Sequence, residues 1–235
     1  MANGTQVVTA PSAAVVSEQT TPESGVRAGV VWRSFGKRTM DIVGASLGLM
    51  LLAPVLLLIA LAVRADGGAA LYAHRRVGRG GKAFGCLKFR TMVPDADAVL
   101  AALLARDADA RAEWEATQKL RRDPRVTRVG RILRASSLDE LPQLFNVLRG
   151  EMSLVGPRPV VQAELETFYG PAAATQYMAV RPGITGLWQV SGRSGTSYAA
   201  RVALDVAYVS DVSLRQDLTI LARTLRVVLR RDGAY

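Results

Sequence analysis

The sequence predicts an α+β chain, mainly helical, arranged as a small membrane-associated catalytic domain with a proline-broken re-entrant membrane helix and interfacial amphipathic helices. Three observations carry this prediction. Residues 42–63 form one long apolar run without a charge. After it, apolar residues recur at helical spacing, most regularly over 214–229. Segments that read as extended are confined to two short stretches, Ala70–Arg76 and Ala83–Arg90, around Gly78-Arg79-Gly80-Gly81.

Bulk composition bounds the rest. The chain has 235 residues, 49% of them hydrophobic, which is enough to bury a core. Lysine and arginine outnumber aspartate and glutamate by 30 to 20, for a net charge of +10 and a pI near 10.4. Such a balance favours an anionic partner: nucleic acid, acidic lipid or a phosphorylated substrate. Cys86 is the one cysteine, which excludes an intrachain disulfide and a thiolate metal site, and His74 is the one histidine, which argues against zinc. No basic segment followed by an apolar run opens the chain, so no signal peptide is expected.

Three regions follow: a flexible leader (1–34), a re-entrant membrane helix (35–66) and a catalytic domain on the cytosolic face (67–235). The leader is rich in Ala, Val, Ser, Thr and Gly and lacks periodicity. In the apolar run, 22 residues as a helix cover about 33 Å, close to the thickness of a bilayer core. Thirteen of them are Leu, Ile or Val, which together favour insertion by about 6 kcal/mol. Pro54 near the centre removes a backbone hydrogen bond at a cost of about 3 kcal/mol, so insertion still wins. Both flanks are basic, with Lys37 and Arg38 before and Arg64, Arg75, Arg76, Arg79 and Lys82 after. Basic residues mark the cytoplasmic side. A helix bent at Pro54 that returns to the same face satisfies both flanks; an ordinary crossing satisfies one, and both topologies stay open.

Downstream, Pro94 opens a helix to about Leu120, with Asp95 and Asp97 at its positive end and a stripe of Leu100, Leu103, Leu104 and Trp114. A short basic helix is expected over Thr127–Arg134. Over Leu214–Leu229 the leucines 214, 218, 221 and 225 and Val228 alternate with Arg215, Arg223, Arg226 and Arg230. That helix suits either the headgroup layer or packing on the domain.

Chemistry concentrates in Ser137-Leu-Asp139-Glu140-Leu-Pro142-Gln143. Pro142 is tolerated only in a first helical turn, so a helix should begin near Asp139, with its free N–H groups holding both carboxylates ionised. An ionised aspartate is a nucleophile toward phosphorus and a ligand for Mg²⁺. The same residues match a capping box, Ser-x-x-Glu, which would only start the helix. The surroundings favour chemistry: Arg128, Arg131 and Arg134 lie just upstream, and Arg158 sits between Pro157 and Pro159. Arginine forks match phosphate oxygens. The stretch Arg181–Arg193 reads alone as a turn-rich connector.

Six elements occur in series: Lys37-Arg38-x-x-Asp41, the proline-broken apolar run, Lys88-Phe-Arg-Thr-Met92, Ser137–Gln143, Ser153-Leu-Val-Gly-Pro-Arg-Pro159 and Pro182-Gly-Ile-Thr-Gly186. Together, over about residues 35–235, they resemble the bacterial sugar transferase family of monotopic polyprenyl-phosphate sugar-1-phosphate transferases, in its short form, similar to members that initiate exopolysaccharide synthesis. The resemblance implies transfer of a sugar 1-phosphate, a hexose by expectation, from a UDP-sugar to undecaprenyl phosphate at the cytoplasmic face of a bacterial inner membrane. By the resemblance, Asp139 is the nucleophile, which forms a phosphosugar-aspartyl intermediate with release of UMP and lies near Mg²⁺ (or Mn²⁺ in its place), and Glu140 assists the acceptor phosphate. Arg134 and Arg158, with Arg131, match phosphate-binding positions; Asp205, Asp217, Lys88 and Arg90 match supporting ones. In the family the breaking proline usually follows a serine, whereas Ala53 precedes Pro54 here. Membrane lipid is a further expected partner and nucleic acid is not. The rival reading is a basic membrane-associated scaffold or nucleic-acid-binding protein, and it would need aromatics interleaved with the basic residues, against an aromatic content of 6%.

Overall fold

The computed structural model describes residues 35–192 and 197–230, with side chains described as far as Val227. The leader, Arg193 and the last five residues lie outside these. The apolar run forms α1 (Lys37–Ala65), 29 residues that stay helical through Pro54. It is long and apolar enough to cross a membrane, and only 11% of its most apolar window is buried against the rest of the protein. Met50, Leu51, Leu57 and Leu58 are between 61% and 79% exposed. A surface of that kind in the middle of a helix calls for an apolar solvent or partner.

Both ends of α1 are fastened to the same body. At its start, Lys37, Asp41 and Ala45 recur every four residues and are buried on one face. Ala45 and Leu49 pack with Leu144, Val147 and Met152. At its end, Val63, Ile59 and Leu56 pack with Phe89 and Leu133. Arg90 ties the last turn to the segments beyond it: its guanidinium donates to Val63 O (2.8 Å) in the helix and to Gly67 O, Ala69 O (2.8 Å) and Met92 O (2.7 Å) outside it.

The two extended segments pair as an antiparallel hairpin, β1 (Leu71–Val77) and β2 (Ala83–Phe89), turned by Gly80 and Gly81 at positive φ. The helix expected from Pro94 is two helices, α2 (Ala96–Arg106) and α3 (Ala108–Thr117). Asp107 breaks it: its backbone is extended, and its carboxylate accepts from Ala110 N (2.9 Å) to start the second helix. The basic helix is α4 (Arg128–Ser136), capped by Thr127. It is followed by a 3₁₀ turn at Leu138–Glu140 and by α5 (Gln143–Arg149). Then come β3 (Ser153–Val155), α6 (Gln162–Phe168), α7 (Gly170–Ala179), β4 (Gly183–Thr185), α8 (Leu187–Val190), α9 (Tyr198–Ser210) and α10 (Leu214–Arg230).

Sequence reading did not separate β3 and β4 from loop. They pair in parallel, Ser153 with Gly183 and Val155 with Thr185. Glycine is required there, because a Cβ at Gly183 or Gly186 would overlap the backbone of Gly156. In α10 the expected apolar stripe divides. Ile220 and Leu221 pack inward, while Leu214, Leu218 and Leu225 are 44%, 52% and 62% exposed beside Arg215, Arg223 and Arg226.

Beneath these elements runs a buried ionic network. Lys37 Nζ donates to Asp217 Oδ2 at 2.8 Å. Tyr208 Oη donates to Asp217 Oδ1 at 2.8 Å and lies 3.0 Å from Val155 O. Asp41 Oδ1 accepts from Ser153 Oγ and Leu154 N, each at 2.9 Å. The base of α1 therefore fixes β3 at both ends and joins it to α10. Asp217, expected as a supporting residue, is fully buried in this network.

Removing one member of a buried ion pair leaves the other uncompensated, at a cost of about 3–5 kcal/mol. Lys37→Ala is expected to lower the unfolding free energy by that order, measured by denaturant unfolding in detergent micelles. Unchanged stability would show that Tyr208 alone satisfies Asp217.

Candidate active site

Alternate residues of a hairpin share a face, and the register sets Arg76 opposite Phe84, His74 opposite Cys86 and Tyr72 opposite Lys88. From that face Arg76, Cys86 and Lys88 line a small cleft, closed by Glu140, Gln143, Arg158, Pro159, Ile184 and Gln189.

Local structure explains how each group arrives there. Lys88 is set by Asn146, fully buried on α5, whose side-chain amide pairs with strand backbone: Leu87 N donates to Oδ1 (2.9 Å), and Nδ2 donates to Gly85 O (2.8 Å). Asp139 and Glu140 are delivered by a sharp reversal at Ser137, which is left-handed (φ 57°) and ends α4. Arg158 leaves the β3–β4 pair. It is held beside Arg76 because Val77 N donates to Val160 O (2.9 Å), while Tyr177 Oη donates to Val77 O (2.9 Å) and accepts from Val160 N (3.2 Å).

Two expectations about the acidic pair fail here. The α-helix begins at Gln143 with Pro142 as its cap residue, so Asp139 and Glu140 sit in the first turn of a preceding 3₁₀ helix rather than in that of the α-helix. Nor is there a capping box: Ser137 makes no side-chain cap, and Glu140 turns instead to Lys88. Lys88 Nζ lies 2.6 Å from Glu140 Oε1 and 3.8 Å from Asp139 Oδ2. One ammonium therefore serves two carboxylates unequally.

Electrostatics separates the two acids. Burial pushes the Asp139 carboxyl above its ordinary value; Lys88 and Arg134 oppose this and Glu140 adds to it. Burial also acts on Glu140, but Lys88, Arg158 and Arg76 outweigh it and hold that carboxyl below its ordinary value. The result is one acid held firmly ionised and a neighbour kept proton-hungry. Asp139 is 9% exposed and lies beside the cleft, next to Lys88.

The expected residues divide accordingly. Asp139, Glu140, Lys88 and Arg158 come together. Arg134 stands at the edge, its Nε donating to Thr91 Oγ1 at 2.9 Å. Arg131 does not join them: it is exposed on the solvent face of α4. Arg90 is engaged in tying down the end of α1, and Asp205 lies behind Arg158 rather than in the cleft. Arg76 was read only as flanking charge. The signal that could have found it is strand alternation, which leaves Arg75 exposed and turns Arg76 to the Lys88 face. Among the described residues no group of three or more His, Cys, Asp and Glu side chains could hold a metal ion alone.

Because the folded-state pKa of Asp139 lies above the ordinary 3.8, folding favours its protonated form. That contribution to stability is complete below pH 3.8 and is lost as pH rises through the raised value. Asp139→Asn is therefore expected to melt above the parent at neutral pH, with the gain shrinking to nothing below pH 3.8. Melting curves across that range measure it; a gain that grows on acidification would contradict the assigned direction.

Comparison with known proteins adds an independent line. The family model described as bacterial sugar transferase matches residues 32–231. The chain is 55% identical over 201 residues (86% of this chain) to the UDP-galactose-lipid carrier transferase of Erwinia amylovora. It is 54% identical over 201 residues (86% of this chain) to the undecaprenyl-phosphate galactose phosphotransferase of Salmonella typhimurium. It spans 42% of the length of each of these two. With the exopolysaccharide production protein ExoY of Rhizobium meliloti it shares 52% identity over 200 residues, 85% of this chain and 88% of that protein. The chain belongs to the bacterial sugar transferase family.

Proposed function

We propose that this chain transfers a hexose 1-phosphate from a UDP-sugar to undecaprenyl phosphate, as the opening step of exopolysaccharide or related glycan synthesis. The observation that carries the reading is Asp139, partly desolvated and 3.8 Å from Lys88, beside a cleft into which Arg76, Lys88 and Arg158 bring three positive charges against one from Glu140. Such a cleft suits a diphosphate. The names of relatives, with UDP-galactose and undecaprenyl phosphate in them, supply the substrate classes.

In this scheme a carboxylate oxygen of Asp139 attacks the phosphorus next to the sugar. A bond forms from carboxylate oxygen to phosphorus, the phosphoanhydride breaks, and UMP leaves with the bonding pair. An oxygen of undecaprenyl phosphate then attacks the same phosphorus, and the aspartyl oxygen departs as carboxylate. Each step exchanges one phosphoryl bond for another of similar energy, so positioning and charge neutralisation can carry most of the catalysis. Lys88 and Arg158 hold the phosphate oxygens, and Glu140, kept ionised, steers Lys88. The donor set also fits Mg²⁺, which commonly takes one or two carboxylates and completes its shell with substrate phosphates and water. Asp139 would hold it, since Glu140 is tied to Lys88. When bound, the ion would neutralise charge on the departing phosphate.

A polar donor and a lipid-linked acceptor can meet only at a membrane surface. Two features support attachment to the cytoplasmic face by a re-entrant α1: its exposed apolar middle, and the fastening of both its ends to one polar domain. The exposed leucines and arginines of α10 suit the headgroup layer.

Purified protein given radiolabelled UDP-glucose or UDP-galactose, undecaprenyl phosphate and Mg²⁺ is expected to yield labelled lipid and UMP. Asp139→Asn should abolish turnover, and Glu140→Gln should leave a small residue. UMP release without labelled lipid would point to hydrolysis, and full activity in Asp139→Asn would overturn the nucleophile.

Topology has its own measurement. Cys86 is buried, its thiol pushed up to about 11 by burial above all, so it stays silent toward maleimides. In sealed inner-membrane vesicles, Phe35→Cys and Asp66→Cys should label from the same side. Opposite accessibility would mean that α1 crosses the membrane.

A further inference from the structure

We propose that Asp205 is a positioning residue of the transferase site: it fixes Arg158 from behind and, through Arg201, the Trp188 ring against which the Arg158 guanidinium packs.

Asp205 is 2% exposed on α9 and does not line the cleft. Its Oδ2 accepts from Tyr169 Oη at 2.7 Å. The backbone N–H of Arg158 is turned toward the carboxylate, and the guanidinium charges of Arg201 and Arg158 both act on it. Arg201, four residues earlier on the same helix, is 8% exposed. Its guanidinium lies 4.8 Å from the centre of the Trp188 ring and 4.8 Å from that of Tyr198. The Arg158 guanidinium lies 5.7 Å from the same Trp188 ring. One indole therefore stands between a cleft arginine and a buried one, and a single carboxylate balances both.

Stability alone does not account for this arrangement. Among the described residues Asp205 Oδ1 and the Nε and Nη2 of Arg201 make no hydrogen bond, so the acid and the guanidinium are buried four residues apart without a direct bridge between them. Buried charges in such a geometry seldom repay their desolvation, and an apolar pair would pack as well. The carboxyl itself is pushed up to about 6 by burial, with Tyr169, Arg201 and Arg158 pulling the other way. What the charge accomplishes is local: it holds the loop that carries Arg158 and so the guanidinium that lines the cleft. Small displacements of a phosphate-holding group are costly, on the order of 100-fold for about 1 Å.

This inference rests on the transferase reading, and a double-mutant cycle separates the two. With the parent active, Asp205→Asn is expected to lower kcat/KM for the UDP-sugar by about 10- to 100-fold. The loss should fall on the UDP-sugar, with the KM for undecaprenyl phosphate unchanged. In an Arg158→Ala background the same substitution should cause little further loss, because Asp205 acts through Arg158. Tyr169→Phe keeps the acid and removes one donor; it should give a smaller loss, also absent in the Arg158→Ala background, and it serves where Asp205→Asn fails to fold. Losses that multiply with that of Arg158→Ala, or a fully active Asp205→Asn, overturn the positioning role alone. A parent that releases no UMP from UDP-glucose or UDP-galactose removes the transferase reading and this inference with it.

Discussion

An apolar helix whose middle cannot be left in water, and whose two ends are tied to one polar body, constrains the rest of this fold. Lys37 and Asp41 at its start reach into the domain, and Arg90 holds its end from β2's continuation. The tie is made with charges buried from water, so it is specific in register: a shift of one residue along α1 would turn Lys37 and Asp41 about 100° away from their partners. Because Asp41 bonds the first residues of β3 and Tyr208 lies against its last, the depth of the helix is coupled to the strand that leads into Arg158. Anchor and cleft are parts of one hydrogen-bonded assembly.

Within the cleft, one cation between two adjacent acids accomplishes a division of labour. Lys88 bonds Glu140 closely and Asp139 only at a distance. Arg158 and Arg76 reinforce that asymmetry, since both lower the Glu140 carboxyl. Two neighbouring carboxylates of similar intrinsic acidity are thereby pushed in opposite directions, a pattern that separates the reacting group from the group that organises charge.

How much of this was legible in the sequence depends on the range of the interaction. The apolar run, the hairpin, the basic helix and α10 follow from periodicity and appear with ends displaced by a few residues. The acidic pair and Arg158 stand out because unusual residues flank them. The helix start at Asp139 was misplaced because Pro142 is equally content as a cap residue, with the 3₁₀ turn before it. Spacing alone gave Arg131 the same weight as Arg134, and only tertiary packing tells them apart, with Arg134 on Thr91 and Arg131 exposed. Arg90 and Asp217 carry the chemistry expected of site residues, and partners distant in sequence use that chemistry for structure instead. Arg76 was hidden for the converse reason. Its neighbour Arg75 is identical in type, and only the pairing with β2 tells which of the two turns inward. Short β3 and β4 carry no period long enough to read, and the contact that creates them lies between glycines, where no side chain announces it.

The excess of positive charge, featureless in the composition, becomes two separate populations in three dimensions. One is inward: Arg76, Lys88 and Arg158 around the cleft, where low solvation strengthens their attraction for an anion. The other is outward: Arg128 and Arg131 on α4, and Arg215, Arg223 and Arg226 on α10 beside exposed leucines. Charges of the second kind are screened within about 10 Å at ordinary ionic strength, so they act only when an anionic surface is already near. Alone they would bind many polyanions weakly. Set beside an apolar helix with an exposed middle, they suit the lipid headgroup layer of the proposed reading better than a nucleic acid, because a headgroup layer offers hydrocarbon and phosphate close together.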